Sequence, residues 1–299
     1  MELESAMTRR YHNFPQKALM FLLVLLTVSL SVVAQTSHLQ WFVDPDGKPL
    51  PFQSNEELED FLRTAEIVSK KRVGAGLNNP LKVLLEKDGI RMHAIFRDIH
   101  IDRHEMKLTD GTKFFFRDDA DFECAAYELA KLLGIDTVPP AVERKIQRTE
   151  GTLQVWVENT ISNLTRRKDN IPAPSKGIAF WRWMMRWQQI QMFDNLIYNE
   201  DRNPGNVLIS PDGMLWMIDH GRSFRRWKEL PHPQLISYVD RHVWEKLQTL
   251  DEALVRERLK DYLQPYEMDG LLERRRLLVE YIQNLIGEHG EGGVLYTMR

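Results

Sequence analysis

Asp201-Arg202-Asn203-Pro204-Gly205-Asn206 opens the stretch on which the fold turns. After Val207-Leu208-Ile209, a Pro211-Asp212-Gly213 turn and the apolar run from Met214 to Ile218, the chain reaches Asp219-His220-Gly221. The two apolar runs read as short strands. Between them proline presets φ and glycine accepts φ > 0, so Pro-Asp-Gly closes a hairpin. Such a hairpin brings Asn206 and Asp219 together at its open end. Side chains so ordered suit phosphoryl transfer, which depends on positioning and charge neutralisation. A carboxylate must orient the attacking hydroxyl, a part that Asp201 can take. Oxygen ligands must hold magnesium against the phosphates, and Asn206 and Asp219 can take that part. Each piece alone is an ordinary turn; their order and the hairpin between them carry the reading.

Outward from this centre, the N-terminus sets the context. Arg9, Arg10 and Lys17 precede an apolar run from Ala18 to Ala34, ending in Val32-Val33-Ala34 before Gln35. A charged start, an apolar middle and small residues at the end form the pattern of a secretory signal peptide over residues 1–34. At 17 residues the run reaches the lower limit of a membrane span, so an uncleaved N-terminal anchor is the alternative. In both cases the body of the protein is expected outside the cytoplasm, periplasmic or secreted, with membrane attachment only through an uncleaved anchor. The net charge of −3 offers no basic field for a nucleic-acid partner. Arg225-Arg226 and Arg274-Arg275-Arg276 read as solvated faces. Cys124 is the single cysteine, so no intrachain disulfide forms and stability must come from the core; in its Ala-rich helix Cys124 reads as a small buried hydrophobe.

The rest of the chain suggests an α+β, two-lobed organisation. Ser54 to Ala65 starts with a capping residue and carries Leu58, Phe61 and Leu62 at helical spacing. Leu81 to Glu86 and Met92 to Arg97 flank Lys87-Asp88-Gly89 as a hairpin, and Lys113 to Arg117 follows an Asp110-Gly111 turn. Asp121 to Leu133 reads as a helix stopped by Gly134. Ala141 to Ile146 and Leu153 to Val157 form a further hairpin around Glu150-Gly151. Residues 35–158 are thus a β-rich N-terminal lobe with an inserted helix. Residues 159–290 are mainly helical: Phe180, Trp183, Met184, Trp187, Ile190 and Phe193 recur at steps of three and four as one wide apolar face. Further helices are expected over 239–249, 251–262 and 267–286, with a frayed tail over 291–299.

With these parts in place the chain resembles the atypical kinases of the phosphatidylinositol 3/4-kinase-like group. The strand order, the helix opening Asp121-Phe122-Glu123, the hinge-like hairpin ending at Val157, the Asp201 to Asn206 loop and Asp219-His220-Gly221 carry the likeness. Gly134-Ile135-Asp136-Thr137-Val138-Pro139-Pro140 looks like the bacterial members, and more distantly like the secretory-pathway kinases. The resemblance covers residues 70–285 and implies a two-lobed protein-kinase-like fold. It implies ATP with Mg²⁺ or Mn²⁺ as ligands, and a protein, lipid or sugar hydroxyl as acceptor. Asp201 would be the acceptor-orienting residue, with Arg202 beside it in the catalytic loop, and Asn206 and Asp219 the metal ligands. A basic strand residue would grip the α- and β-phosphates, positioned by an acidic residue on the following helix. Arg97 and Glu123 fall there, with Glu128 one face further round and Lys113 the alternative base.

The chain departs from the pattern at three points. Arg97 stands where lysine is usual, and a planar, bidentate guanidinium holds phosphates differently from an ammonium. Asn203 stands where many relatives have histidine. In place of a glycine-rich loop there is only Gly74-Ala75-Gly76 before Asn78-Asn79-Pro80. The readings that follow are a transferase, a nucleotide-binding pseudokinase, a non-catalytic envelope binding protein, or a nucleotidyl transferase binding ATP in a flipped orientation. The Asn163-Leu164-Thr165 triplet fits a glycosylation acceptor.

Overall fold

The computed structural model describes residues 39–74, 80–108 and 111–298. The apolar N-terminal run, Ala75 to Asn79 and the Asp110 turn residue lie outside the described residues. The elements in chain order are α1 (Asn55–Thr64), β1 (Glu66–Arg72), β2 (Leu81–Lys87), β3 (Ile90–Arg97), β4 (His100–Leu108) and β5 (Gly111–Asp119). Next come α2 (Asp121–Leu133), β6 (Ala141–Ile146), β7 (Thr149–Val155), β8 (Ile161–Ser162), α3 (Asn163–Lys168) and α4 (Gly177–Ile197). β9 (Val207–Ile209), β10 (Leu215–Met217), β11 (Val239–Asp240), α5 (Arg241–Thr249), α6 (Glu252–Leu259), α7 (Pro265–His289), α8 (Glu291–Val294) and β12 (Leu295–Tyr296) complete the fold. It is α+β and two-lobed, as the sequence implied.

An antiparallel five-stranded sheet in the order β1-β2-β3-β7-β6 forms the N-terminal lobe. Its β2–β3 turn is the expected one, with Asp88 at φ 53° and Gly89 at φ 78°, both in the left-handed region that such two-residue hairpins require. The β6–β7 hairpin differs from expectation. It turns at Gln147, at φ 58°, so Gly151 falls inside β7 opposite Arg144. A Cβ on Gly151 would lie 2.2 Å from the Arg97 carbonyl oxygen. Glycine is here because two backbones meet, and not because the chain bends.

Two cores hold the lobes, each fully buried Leu or Phe contributing about 2 kcal/mol. One packs α1 and the five-stranded sheet with Phe42, Met214 and Trp216, so the β9–β10 hairpin supports the N-terminal lobe as well. The other joins α4, α5, α6 and α7. Phe122, Leu129 and Leu133 of α2 belong to this second core, so the inserted helix is built into the helical lobe. The expected apolar face of α4 holds only in part: Trp183, Ile190 and Phe193 are buried, whereas Phe180 and Met184 are 39% and 37% exposed.

Three other expectations change. The tail is not frayed, because β12 pairs in parallel with β11 and Tyr296 donates its hydroxyl to the Met185 carbonyl at 3.0 Å. Arg274 is not solvated. It is fully buried, donating to the carbonyls of Leu196 at the end of α4 and of Arg225 at 2.8 Å each, and to that of Trp227. Arg225 is buried too, 3.3 Å from Glu200. Cys124 is buried as expected, with burial pushing its thiol pKa up. Asn163 is buried at the start of α3 and accepts from Arg166 Nε at 2.8 Å, a poor position for a glycan.

β4 and β5 form a separate ribbon, outside the five-stranded sheet. It leans on the helical lobe: Arg117 reaches Glu267 of α7 at 2.6 Å, and the Asp119 amide donates to the Gly221 carbonyl at 2.9 Å. Among the described residues no helix is long and apolar enough to cross a membrane.

Candidate functional site

The end of β3, the start of α2 and the Asp-His-Gly turn converge between the lobes. α2 starts right after the ribbon, so Glu123 sits in its first turn and faces inward, fully buried. Arg97, the last residue of β3, places Nη1 3.7 Å from Glu123 Oε1 and Nε 4.0 Å from Asp219 Oδ1. Glu123 also accepts the His220 backbone N–H at 2.9 Å and faces His220 Nδ1 at 3.0 Å. One carboxylate therefore binds both the strand base and the turn that bears Asp219. Burial alone would raise the Glu123 pKa, but Arg97 and then His220 outweigh it and hold the group at about 2.

Gln154 of β7 completes this cluster. Its Oε1 accepts from Arg97 Nη1 at 3.4 Å and its Nε2 donates to Glu123 Oε2 at 3.3 Å. Neither Gln154 nor His220 was marked from the sequence. A glutamine in an alternating strand gives no signal by itself, and the histidine appears only as part of Asp219-His220-Gly221.

Asp219 sits at φ 61°, in the left-handed region, where Asp is more easily held than a branched residue. Burial raises its pKa; Arg97 opposes this, while Glu123, Asp118 and Asp201 push the same way as burial. That surplus of negative charge fits a cation. Next to it, Gly221 has no room for a side chain, because a Cβ would lie 2.5 Å from Asp118 Oδ1.

The loop preceding β9 is held by Arg202. This residue pairs with Asp194 of α4 at 3.0 Å and donates to the carbonyls of Asn206 at 2.9 Å and Ile218 at 2.7 Å. Turned inward, Arg202 positions the loop. The Ile218 amide donates to the Asn206 carbonyl at 3.2 Å, so Asn206 and the residue before Asp219 meet at the open end of the hairpin. Asn206 Nδ2 donates to the Asp201 carbonyl at 2.8 Å, leaving its Oδ1 as an acceptor of the kind a hard cation prefers. Asp201 has its amide held by Asn199 Oδ1 at 2.9 Å, and its carboxylate faces Asn203 Nδ2 at 3.1 Å and Arg222 Nη1 at 3.3 Å. The same Arg222 donates from Nε to Asp118 Oδ2 at 3.1 Å, tying the ribbon to the loop. The structure thus gathers Asp201, Asn206, Asp219, Arg97 and Glu123. Lys113 lies in the ribbon opposite Met106, and Arg97 holds the place beside Glu123.

Beside Arg97 a cavity of about 140 Å³ is lined by Ile95, Val155, Trp156, Val157, Leu208 and Ile218. Side chains from both lobes close over it, and the Trp156 amide is spent on the His93 carbonyl at 3.1 Å. A flat apolar group could enter with charged groups trailing toward Arg97.

No family model matches the chain. It is 24% identical to protein Rv2133c of Mycobacterium tuberculosis, a match covering 44% of this chain and 55% of that protein. The chain thus spans about half the length of that relative. Similar solved structures include hydra Fam20 with sugar, at TM-score 0.63 and 16% identity over 87% of this chain and 97% of that one. The Golgi casein kinase is similar at TM-score 0.58 and 16% identity, over 81% of this chain and 78% of that one. The same kinase with Mn/ADP bound gives 0.56 and 16%, over 82% and 80%. The fold is therefore the kinase-like fold of the Fam20 structures.

Proposed function

We propose that the chain is an exported phosphotransferase that moves the γ-phosphoryl group of ATP to a protein, lipid or sugar hydroxyl with Mg²⁺ or Mn²⁺. The observation that supports this most is the apolar cavity opening onto Arg97, with Glu123 linking that base to the turn of Asp219. The Mn/ADP complex of the similar Golgi casein kinase adds support for such ligands. Asn206 and Asp219 would hold the cation, which when bound neutralises phosphate charge. Arg97, kept in place by Glu123 and Gln154, would meet the α- and β-phosphates. Asp201 would orient the acceptor hydroxyl and take its proton as the new O–P bond forms and the bond to the β-phosphate oxygen breaks. Membership of the phosphatidylinositol 3/4-kinase-like group rests on the sequence motifs, and export rests on residues 9–34.

One observation favours the second reading, a nucleotide-binding pseudokinase: Arg97 lies 4.0 Å from Asp219, where its guanidinium offsets part of the charge that a metal would otherwise meet. Thermal melting with ATP plus Mg²⁺ or Mn²⁺ tests both, since a ligand bound only by the native state raises its Tm. No shift would defeat both readings. A shift followed by label transfer from γ-labelled ATP to an acceptor extract establishes the transferase, and a shift without transfer leaves the pseudokinase.

A further inference from the structure

Residues 161–184 present a surface that is both apolar and basic. Ile161 and Ile171 are exposed and line an open groove of about 560 Å³ together with Pro172, Pro174 and Trp183. Phe180 and Met184, also exposed, flank Trp183 on α4 and extend the apolar surface beyond the groove. The same segment carries Arg166, Arg167, Lys168, Lys176 and Arg182 against the single acid Asp169, in a chain whose net charge is −3. Arg167 and Lys168 are exposed, and Arg166 holds the rim by donating to the Ile171 carbonyl at 2.9 Å.

The start of the described chain lies close to this face. Trp41 packs edge-on against Trp216, centroids 5.7 Å apart, and Arg186 of α4 lies over Trp41 at 5.9 Å. Trp216 in turn donates to Ser210 Oγ, and Ser210 lines the groove. Between Ala34, the end of the apolar N-terminal run, and Leu39 there are four residues, which span at most on the order of 18 Å. A chain retaining that run in a membrane would keep this side of the molecule within reach of the bilayer.

We propose that the apolar and basic surface of residues 161–184 docks on an anionic lipid bilayer. Ile171, Phe180 and Met184 would enter the interface, and Arg167, Lys168, Lys176 and Arg182 would meet the headgroups. Apolar area gives such a contact its depth, and each basic group adds attraction to anionic lipid. The contact does not depend on the phosphotransferase reading.

The test uses the full chain carrying Ile171→Cys labelled with an environment-sensitive fluorophore; the native Cys124 is buried, and an unsubstituted chain controls for its labelling. The protein is mixed with vesicles of phosphatidylcholine alone or of phosphatidylcholine with phosphatidylglycerol. The expected result is a blue shift and quenching by lipid-borne quenchers on the anionic vesicles, weakened by salt. Arg167→Ala with Lys168→Ala, both at exposed positions, should weaken that response roughly thirtyfold while leaving the far-ultraviolet spectrum unchanged. A blue shift without lipid would mean that the chain's own apolar run covers the face. That outcome, an equal response to both vesicle types, or no response to either overturns the proposal.

Discussion

Glu123 binds the residue after Asp219 twice, through the His220 backbone N–H at 2.9 Å and the ring Nδ1 at 3.0 Å, while its other contacts reach Arg97 and Gln154. Removing this carboxylate leaves a buried guanidinium short of its main partner. Glu123→Ala should cost on the order of 3 kcal/mol by chemical denaturation, and Glu123→Gln, which keeps hydrogen-bonding capacity, should cost less.

The same contacts predict an acid limb of stability. The folded pKa of Glu123 lies at about 2, below its ordinary value of 4.5, so its contribution is present above the unfolded value and disappears as pH falls from about 4.5 toward 2. Asp219 has the opposite sign: its raised pKa favours the protonated form in the fold, so its ionisation lowers stability as pH rises through the acid range. Urea midpoints measured across this window should fall toward low pH in the wild type and flatten in Glu123→Gln.

Asp219→Asn separates the metal from the fold. Without metal it should hold or raise the Tm, because a half-buried carboxylate crowded by Glu123, Asp118 and Asp201 is neutralised. With saturating ATP and Mn²⁺ the wild type should gain about 3 kcal/mol at a hundredfold excess over Kd, read as a shift of several degrees, and the variant should gain far less. Equal gains would remove Asp219 from the metal site.

On the proposed transferase reading, Asp201 and Arg222 concern transfer more than binding. Asp201→Ala should keep the nucleotide-dependent Tm shift and lower transfer by roughly 10²- to 10⁴-fold. Arg222→Ala should lower transfer less, since it removes the partner 3.3 Å from Asp201 and leaves the carboxylate itself. Single-turnover transfer rates with each variant check the order.

Arg97→Lys tests the arginine that stands where the sequence resemblance leads one to expect lysine. An ammonium here would keep a positive charge beside Glu123 for the phosphates, so nucleotide affinity should be retained or improved, measured by calorimetric titration. A large loss would show that the bidentate guanidinium, with its simultaneous reach to Gln154, is needed.

Much of this site was legible in the sequence, for a physical reason. The Asp201 loop, the β9–β10 hairpin and the helix from Asp121 to Gly134 are specified by local chemistry: a turn, a cap, a periodicity. Gly134 ends α2 at φ 69°, as a glycine stop requires. What sequence could not give depends on residues far apart in the chain. Gln154 meets Glu123 across 31 positions, and Arg222 meets Asp118 across 104. Gly151 looked like a turn residue, because a close approach of two backbones leaves the same letter as a bend. Arg274 looked like part of a solvated run, because nothing in three consecutive arginines tells which one caps the carbonyls at the end of α4. The strands β1 and β4 passed unread, since Ser69-Lys70-Lys71 and Arg103-His104-Glu105 lack the apolar alternation of a half-buried strand.

The clasp between Arg117 and Glu267 bears on how the molecule can move. The chain passes between the lobes after Val157, and Arg117 ties the ribbon to α7 at 2.6 Å. The clasp is one of several links, since α2 packs into the helical core and the β9–β10 hairpin packs into the core of the five-stranded sheet. Parting Arg97 from Asp219 to admit a ligand would therefore require several packed elements to shift together, so the cleft is braced across its width.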